Sequence, residues 1–185
     1  MAGGTHWALH RPIAHRAGVV VEESPRQGEA RDPTPVRFGD TMLQPLADFD
    51  VEARVLSRED YTFDAGAALA PTDLALGWGR MSDSAVIDAL EIRQSARFFS
   101  YRWRSEPPIP PDEIVRSATN LHAIPADATI ARELARVRVG EVVELRGRLV
   151  EASRANGWRW RSSLSREDSG AGACELMLIE SIDWH

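Results

Sequence analysis

The sequence has no lysine, a single cysteine and no long apolar run. Without lysine there can be no G-x-x-x-x-G-K-[ST] phosphate loop, and neither a G-x-G-x-x-G fingerprint nor a G-x-S-x-G elbow is present. All 22 basic residues are therefore arginine. A bias toward GC-rich codons accounts for this. The functional alternative is a demand for bidentate guanidinium contacts with carboxylate or phosphate. One cysteine excludes an internal disulfide framework and any multi-cysteine zinc site. No window reaches the ~18 consecutive apolar residues of a membrane span. The stretch from Ala17 to Val21 is also short of the ~7–15-residue apolar region of a secretory signal. The expected location is cytoplasmic, or exported or membrane-associated if the natural N-terminus is missing.

What is present bounds the fold. A chain of 185 residues with 43% hydrophobic content suits one domain with a tail. The net charge of −6 argues against generic binding to a phosphate backbone. Residues 1–45 hold Pro12, Pro25, Pro33, Pro35 and Pro45, scattered His6, His10 and His15, and charges of both signs. With no sustained period beyond Val19-Val20-Val21, they are expected to form a flexible N-terminal tail. Residues 46–185 are expected to form a single compact β-rich domain.

Within that domain, Phe49 to Leu56 alternates apolar and polar residues as a strand does. The stretch from Pro71 to Arg80 mixes Pro, Asp, Gly and Trp and is expected as an irregular loop. Ser82 or Asp83 can cap a short helix through Leu90. Arg97 to Trp103 is rich in strand-forming aromatics, and a prolyl break at Pro107 to Pro111 leads to a short helix near Asp112–Ser117. Asn120-Leu121-His122 is expected on a loop. Asp127 caps a further helix whose Ile130, Leu134 and Val137 face the core, and Gly140 ends it. Glu141 to Leu149 is the clearest half-buried strand. Asn156-Gly157 signals a turn, after which Trp158 to Ser162 forms the partner strand, and the run from Cys174 to Glu180 closes the sheet. The expected fold is α+β and β-rich, a small curved sheet or partly closed, OB-like barrel with one or two short helices.

Chemistry is sought first in the loop from Ser162 to Glu175. Small residues there let the backbone approach a partner closely. A thiol at Cys174, beside exposed N–H groups, could be held as a thiolate. His122 would serve as its base, with Asn120 or Asp168 orienting the ring and Arg166 holding an anionic substrate group. The plainer alternatives stand beside these. Free cysteine is among the most buried residue types, a lone histidine is more often structural, and Arg166 with Asp168 can simply hold the loop's shape. Trp158-Arg159-Trp160-Arg161 suggests a single-strand nucleic-acid platform, but on a strand both tryptophans share one face. They are expected to fill the core, and nucleic acid is not expected as a partner.

The segments from Pro71 to Asp83, Asn120 to Ala126, Gly140 to Val150 and Trp160 to Glu175 together resemble a family of uncharacterised bacterial proteins. The resemblance covers residues ~48–183 and implies a bacterial origin, with no activity, cofactor or partner. Members of that family often begin with a membrane or export segment.

Two functions follow as expectations. The first is a non-enzymatic binding or accessory module that engages a protein or small ligand through its loops, with Arg166, Ser163, Ser165 and Trp78 as contact residues. The second is a cysteine-dependent hydrolase or transferase using Cys174, His122, Asp168 and Asn120. No metal and no cofactor is expected in either.

Overall fold

The computed structural model describes residues 11–167 and 173–185. Its strands are β1 (Arg26–Glu29), β2 (Val36–Phe38), β3 (Thr41–Asp60), β4 (Thr72–Gly77), β5 (Glu91–Ser95), β6 (Phe98–Arg102), β7 (Ala118–Pro125), β8 (Val142–Arg154), β9 (Arg159–Arg161) and β10 (Glu175–Trp184). Three short helices, α1 (Ser84–Ile87), α2 (Pro111–Arg116) and α3 (Ala128–Leu134), join them, and a 3-10 turn spans Gly79–Ser82. The fold is α+β and strongly β-rich.

Strands β3, β4, β7, β10 and β8 pair in that order, and β8 pairs back onto β3. The result is a ring of hydrogen bonds through five strands, a curved sheet that is not evenly barrel-shaped. All ladders in the ring are antiparallel except β7 with β10. Closure removes the open edges that a small sheet would otherwise present.

The long strand β3 makes the ring feasible. From Thr41 to Val51 its residues alternate between buried and half-buried, as a strand with one face on a core requires. Pro45 lacks an N–H, and it sits where the register with β8 shifts between Pro45 and Ala47. A proline is tolerated at such a bulge because a ladder bond is already missing there. Inside the ring, Phe49, Val51, Leu145, Leu149, Met177 and Ile179 join one continuous core. On β8, Gly147 lies against the Leu178 carbonyl of β10, and any Cβ there would collide with that backbone. This glycine is what lets the two strands approach.

Two segments expected as loops are central strands. Residues 72–77 form β4, buried along its whole length, and Asn120 to Pro125 lie in β7, which is nearly as buried. Both are covered on two faces, so the polar–apolar alternation that marks half-buried strands is absent. The N-terminal segment also differs from a flexible tail over its described part. β1 and β2 pair with β3, and Val21 is buried in the ring core. Ile13 N–H donates to the Val139 carbonyl at 2.8 Å, and His15 Nε2 lies 2.7 Å from the Gly140 carbonyl. His6 and His10 lie outside the described residues. Gly140 therefore does not cap α3, which ends at Leu134. Its φ of +88° and its tight contact with Ile13 give it a different duty, passing the N-terminal arm across the end of the ring.

The helix starts follow their sequence signals. Asp83 caps α1 by accepting from Ala85 N–H, and Asp127 caps α3 by accepting from Thr129 and Ile130 N–H. Pro111 opens α2, where its missing N–H costs nothing.

Candidate functional site

Strands β5 and β6 form a separate two-stranded sheet lying outside the ring. They are joined by Ala96 and Arg97, both with positive φ, at 51° and 70°. A two-residue hairpin turn demands that conformation, and asparagine or glycine normally supplies it. Here an alanine and an arginine do, at a strain of roughly 1–2 kcal/mol each.

The contacts of Arg97 account for that strain. Its Nε and Nη2 donate to the two oxygens of Asp64, each at 2.9 Å. Nη1 donates to Asp73 Oδ1 at 2.7 Å and to the Ala70 carbonyl at 2.8 Å. The guanidinium lies 3.8 Å from the centre of the Tyr61 ring. Its main chain is held as well, with N–H donating to Tyr61 Oη at 2.9 Å and the carbonyl accepting from Asn120 Nδ2 at 3.0 Å. Charge-assisted hydrogen bonds contribute about 1.5–3 kcal/mol each, so three to the two carboxylates outweigh the strain of the turn. Burial works against the Arg97 charge, but its bonds to Asp64 and Asp73 hold its pKa above the ordinary value. At Asp64 burial likewise pushes the pKa up, and the Arg97 and Gly66 hydrogen bonds overcome it, leaving the carboxyl below its ordinary range.

Asp73 is fully buried on β4. Besides Arg97 it meets His122, whose Nδ1 stands 2.9 Å from Asp73 Oδ1 without hydrogen-bond alignment. The His122 ring rests on Trp160, with centroids 4.6 Å apart. Asp64, Arg97, Asp73 and His122 thus form a polar seam that binds the hairpin tip and the 61–70 loop to the outer face of β4 and β7.

Beside this seam lies a cleft of about 550 Å³, counting its open mouth. Phe98, Phe99 and Tyr101 of β6 form one wall, and Ile114 with Val115 of α2 the other. Thr119, Asn120 and Cys174 line its polar end. The parallel register of β7 with β10 sets Glu175 opposite Leu121, so Cys174 falls abreast of Asn120. The Cys174 sulfur lies 3.7 Å from Asn120 Nδ2 and 3.9 Å from the Arg97 carbonyl. Asn120 Oδ1 in turn accepts from Gln94 Nε2 of β5 at 2.6 Å. Burial raises the Tyr101 pKa, which keeps its phenol protonated and able to donate.

The residues singled out in the sequence therefore part company. Cys174 and Asn120 meet at the cleft. His122 is two residues further along β7, 3% exposed, and turned toward Asp73 and Trp160. Asp168 lies outside the described residues. Arg166 pairs with Glu175, its Nη2 lies 3.3 Å from Gln27 Oε1, and its guanidinium sits 5.2 Å from the centre of the Phe49 ring. Ser163 N–H donates to the Cys174 carbonyl at 3.0 Å, and Ser165 Oγ accepts from Glu167 N–H at 3.1 Å. Both serines shape the loop. Trp78 is 2% exposed within the ring core. Trp158 and Trp160 do not fill the core but are half-buried, packed against an apolar cluster that includes Leu69 and Ala70.

Arg97, Asp73 and Asp64 carry no motif. One signal for them is Asp73 itself, a carboxylate inside the apolar run from Leu69 to Leu76, which needs a partner from elsewhere in the chain. The other is the two-residue gap between the β5 and β6 segments. Among the described residues no cluster of His, Cys, Asp and Glu is arranged to hold a metal ion, and no helix is long and apolar enough to cross a membrane.

Set beside known protein families, curated proteins and solved structures, the chain matches none of them. None of these comparisons supports the bacterial family expected from the sequence segments. Fold and site together define a β-rich α+β protein with a five-strand ring and, on its outer face, a cleft walled by the β5–β6 hairpin and α2.

Proposed function

We propose that this protein is a non-enzymatic binding module whose cleft between β6, α2 and β7 takes a small, neutral, largely apolar molecule. One observation carries the reading. Charged residues make up 27% of the chain, yet among the described residues none of the ten that line the cleft is charged. Apolar walls with a few convergent polar groups are the usual make-up of a small-molecule site. An ion entering such a cleft would lose hydration without gaining a partner, so the chemistry selects against charge. Thr119, Asn120 and Cys174 supply the polar end that orients the bound molecule, and the Tyr101 phenol adds a donor on the β6 wall.

A cysteine-dependent hydrolase or transferase is the competing reading, with Cys174 as nucleophile and His122 as base. What favours binding is the setting of His122, which is buried between Asp73 and Trp160. A general base must reach the proton that it removes.

The neutral fluorophore N-phenyl-1-naphthylamine tests the proposal. Titration should give a saturable rise in emission, lost in Ala118→Phe, which fills the cleft from the start of β7. Anionic 1-anilinonaphthalene-8-sulfonate should bind at least tenfold more weakly. A linear, non-saturating rise, or saturation that survives Ala118→Phe, would overturn the reading.

A further inference from the structure

The β5–β6 hairpin has an unusual means of attachment. Among the described residues no backbone ladder ties it to the ring, and a two-stranded hairpin is by itself marginal in water. It is held by apolar packing, with Leu90 at its base and Ile92, Phe99, Tyr101 and Trp103 against the cluster around Ile114. Its tip is anchored chiefly by Arg97, while Gln94 of β5 donates to Asn120 Oδ1 at 2.6 Å. Arg97 binds Asp64, Asp73, Ala70 and Tyr61 through its side chain and main-chain N–H, and Asn120 through its carbonyl. The same tip carries two consecutive non-glycine residues in the left-handed region, a conformation that persists only while surrounding contacts enforce it. Phe98 and Phe99, next along the chain, form a wall of the cleft. A strained turn, a polar clasp dominated by Arg97 and a packed base on one hairpin make an element that can pivot about its base when the clasp opens.

We infer that the β5–β6 hairpin is a flap over the cleft, latched by Arg97 on Asp64 and Asp73, and that release of this latch governs access to the cleft and to Cys174. The inference deepens the binding reading above, because the cleft is what the flap covers, but its test needs no bound molecule. When Arg97 leaves the two carboxylates, the turn sheds its strain and Asn120 loses the Arg97 carbonyl. The cleft then opens from the Phe98 side. Asp64 is the exposed half of the latch and Asp73 the buried half, so the first bond to break is the one water can replace.

Hydrogen–deuterium exchange on the whole chain, with N-ethylmaleimide labelling of its one cysteine, provides the test. In Arg97→Ala the amides of residues 91–102 should exchange at least tenfold faster than in the wild type, those of β8 should stay within twofold, and labelling of Cys174 should accelerate at least fivefold. Ala96→Gly removes strain from the closed turn without touching the latch, so it should slow hairpin exchange about twofold to threefold. Asp64→Asn should accelerate it about threefold, and it keeps the test open if Arg97→Ala does not fold. Hairpin exchange that ignores all three substitutions would overturn the flap. So would hairpin and β8 amides accelerating together, since the hairpin would then open only when the ring does. Saturable fluorophore binding alongside unchanged exchange rates would sink the flap and leave the binding reading standing. Absent fluorophore binding with the expected exchange pattern would do the reverse.

Discussion

The five-strand ring and the β5–β6 hairpin both consist of antiparallel strands, yet they are held by opposite means. In the ring, every strand is bonded to a neighbour on each side over part of its length, and the core within is apolar and continuous. Its stability is spread over many small contacts, so no one residue is decisive. The hairpin has a single partner strand for each of its strands, and its tip is held mainly by the ion pairs of one arginine. Distributed apolar packing makes a cooperative unit, whereas a concentrated polar clasp makes an element able to open by itself. The cleft lies where the two meet.

The largest expected effect breaks the distributed side of this comparison. Leu145 is fully buried in the ring core on β8, and Leu145→Ala should cost about 2–5 kcal/mol in urea unfolding. Exchange should then quicken across β3, β8 and β10 together. Acceleration confined to β8 would show that the ring is not one cooperative unit. A smaller effect sharpens the polar side. Asp64→Asn weakens the Arg97 latch and should cost about 1 kcal/mol at pH 7, a figure that allows for the solvent screening of a partly exposed carboxylate.

That second effect depends on pH, with a definite sign. The folded-state pKa of Asp64 is depressed below its ordinary value of 3.8. Its contribution is therefore fully present above 3.8 and is lost as pH falls through the lower folded value. The stability gap between wild type and Asp64→Asn should be constant from pH 7 to about 5 and close in stronger acid. A gap that widened on acidification would mean that Asp64 is held in its protonated form. The smallest effect falls on the turn. Relief of ~1–2 kcal/mol of left-handed strain set against ~0.4–1 kcal/mol of added chain entropy leaves Ala96→Gly about 0.5 kcal/mol more stable. A loss of stability instead would show that the turn carries no strain to relieve.

How far the sequence foretold these regions depends on how many faces of each strand meet water. β8 was legible because Val143, Leu145, Gly147 and Leu149 alternate with charged residues, and β3 for the same reason from Phe49 onward. The caps at Asp83 and Asp127, the Asn156-Gly157 turn and the closing strand β10 were legible as well, since each signal is local. β4 and β7 were not. Buried on both faces, they lack alternation, and their Asp73, Asn120 and His122 look like loop residues until their partners are known. Cys174 and Asn120 each stand out locally, but their meeting depends on a parallel register across 54 residues of chain, which no local pattern encodes. The arm from Ile13 to Val21 looked unstructured because its contacts are made with Val139, Gly140 and Ser82, far along the chain.

By itself, then, the sequence determined the class: a β-rich α+β domain without a nucleotide loop, a disulfide framework or a cysteine zinc site. Composition and local periodicity suffice for that, because they report on water and on neighbouring residues. Only the tertiary structure decided that Arg97 closes on two carboxylates, that His122 faces Asp73 and Trp160, and that a cleft without charge among its described lining residues, with Cys174 at its end, lies against a hairpin. Those are long-range pairings. Their energies come from burying charges together, and a carboxylate acquires a need for its particular arginine only once the fold has taken both away from water.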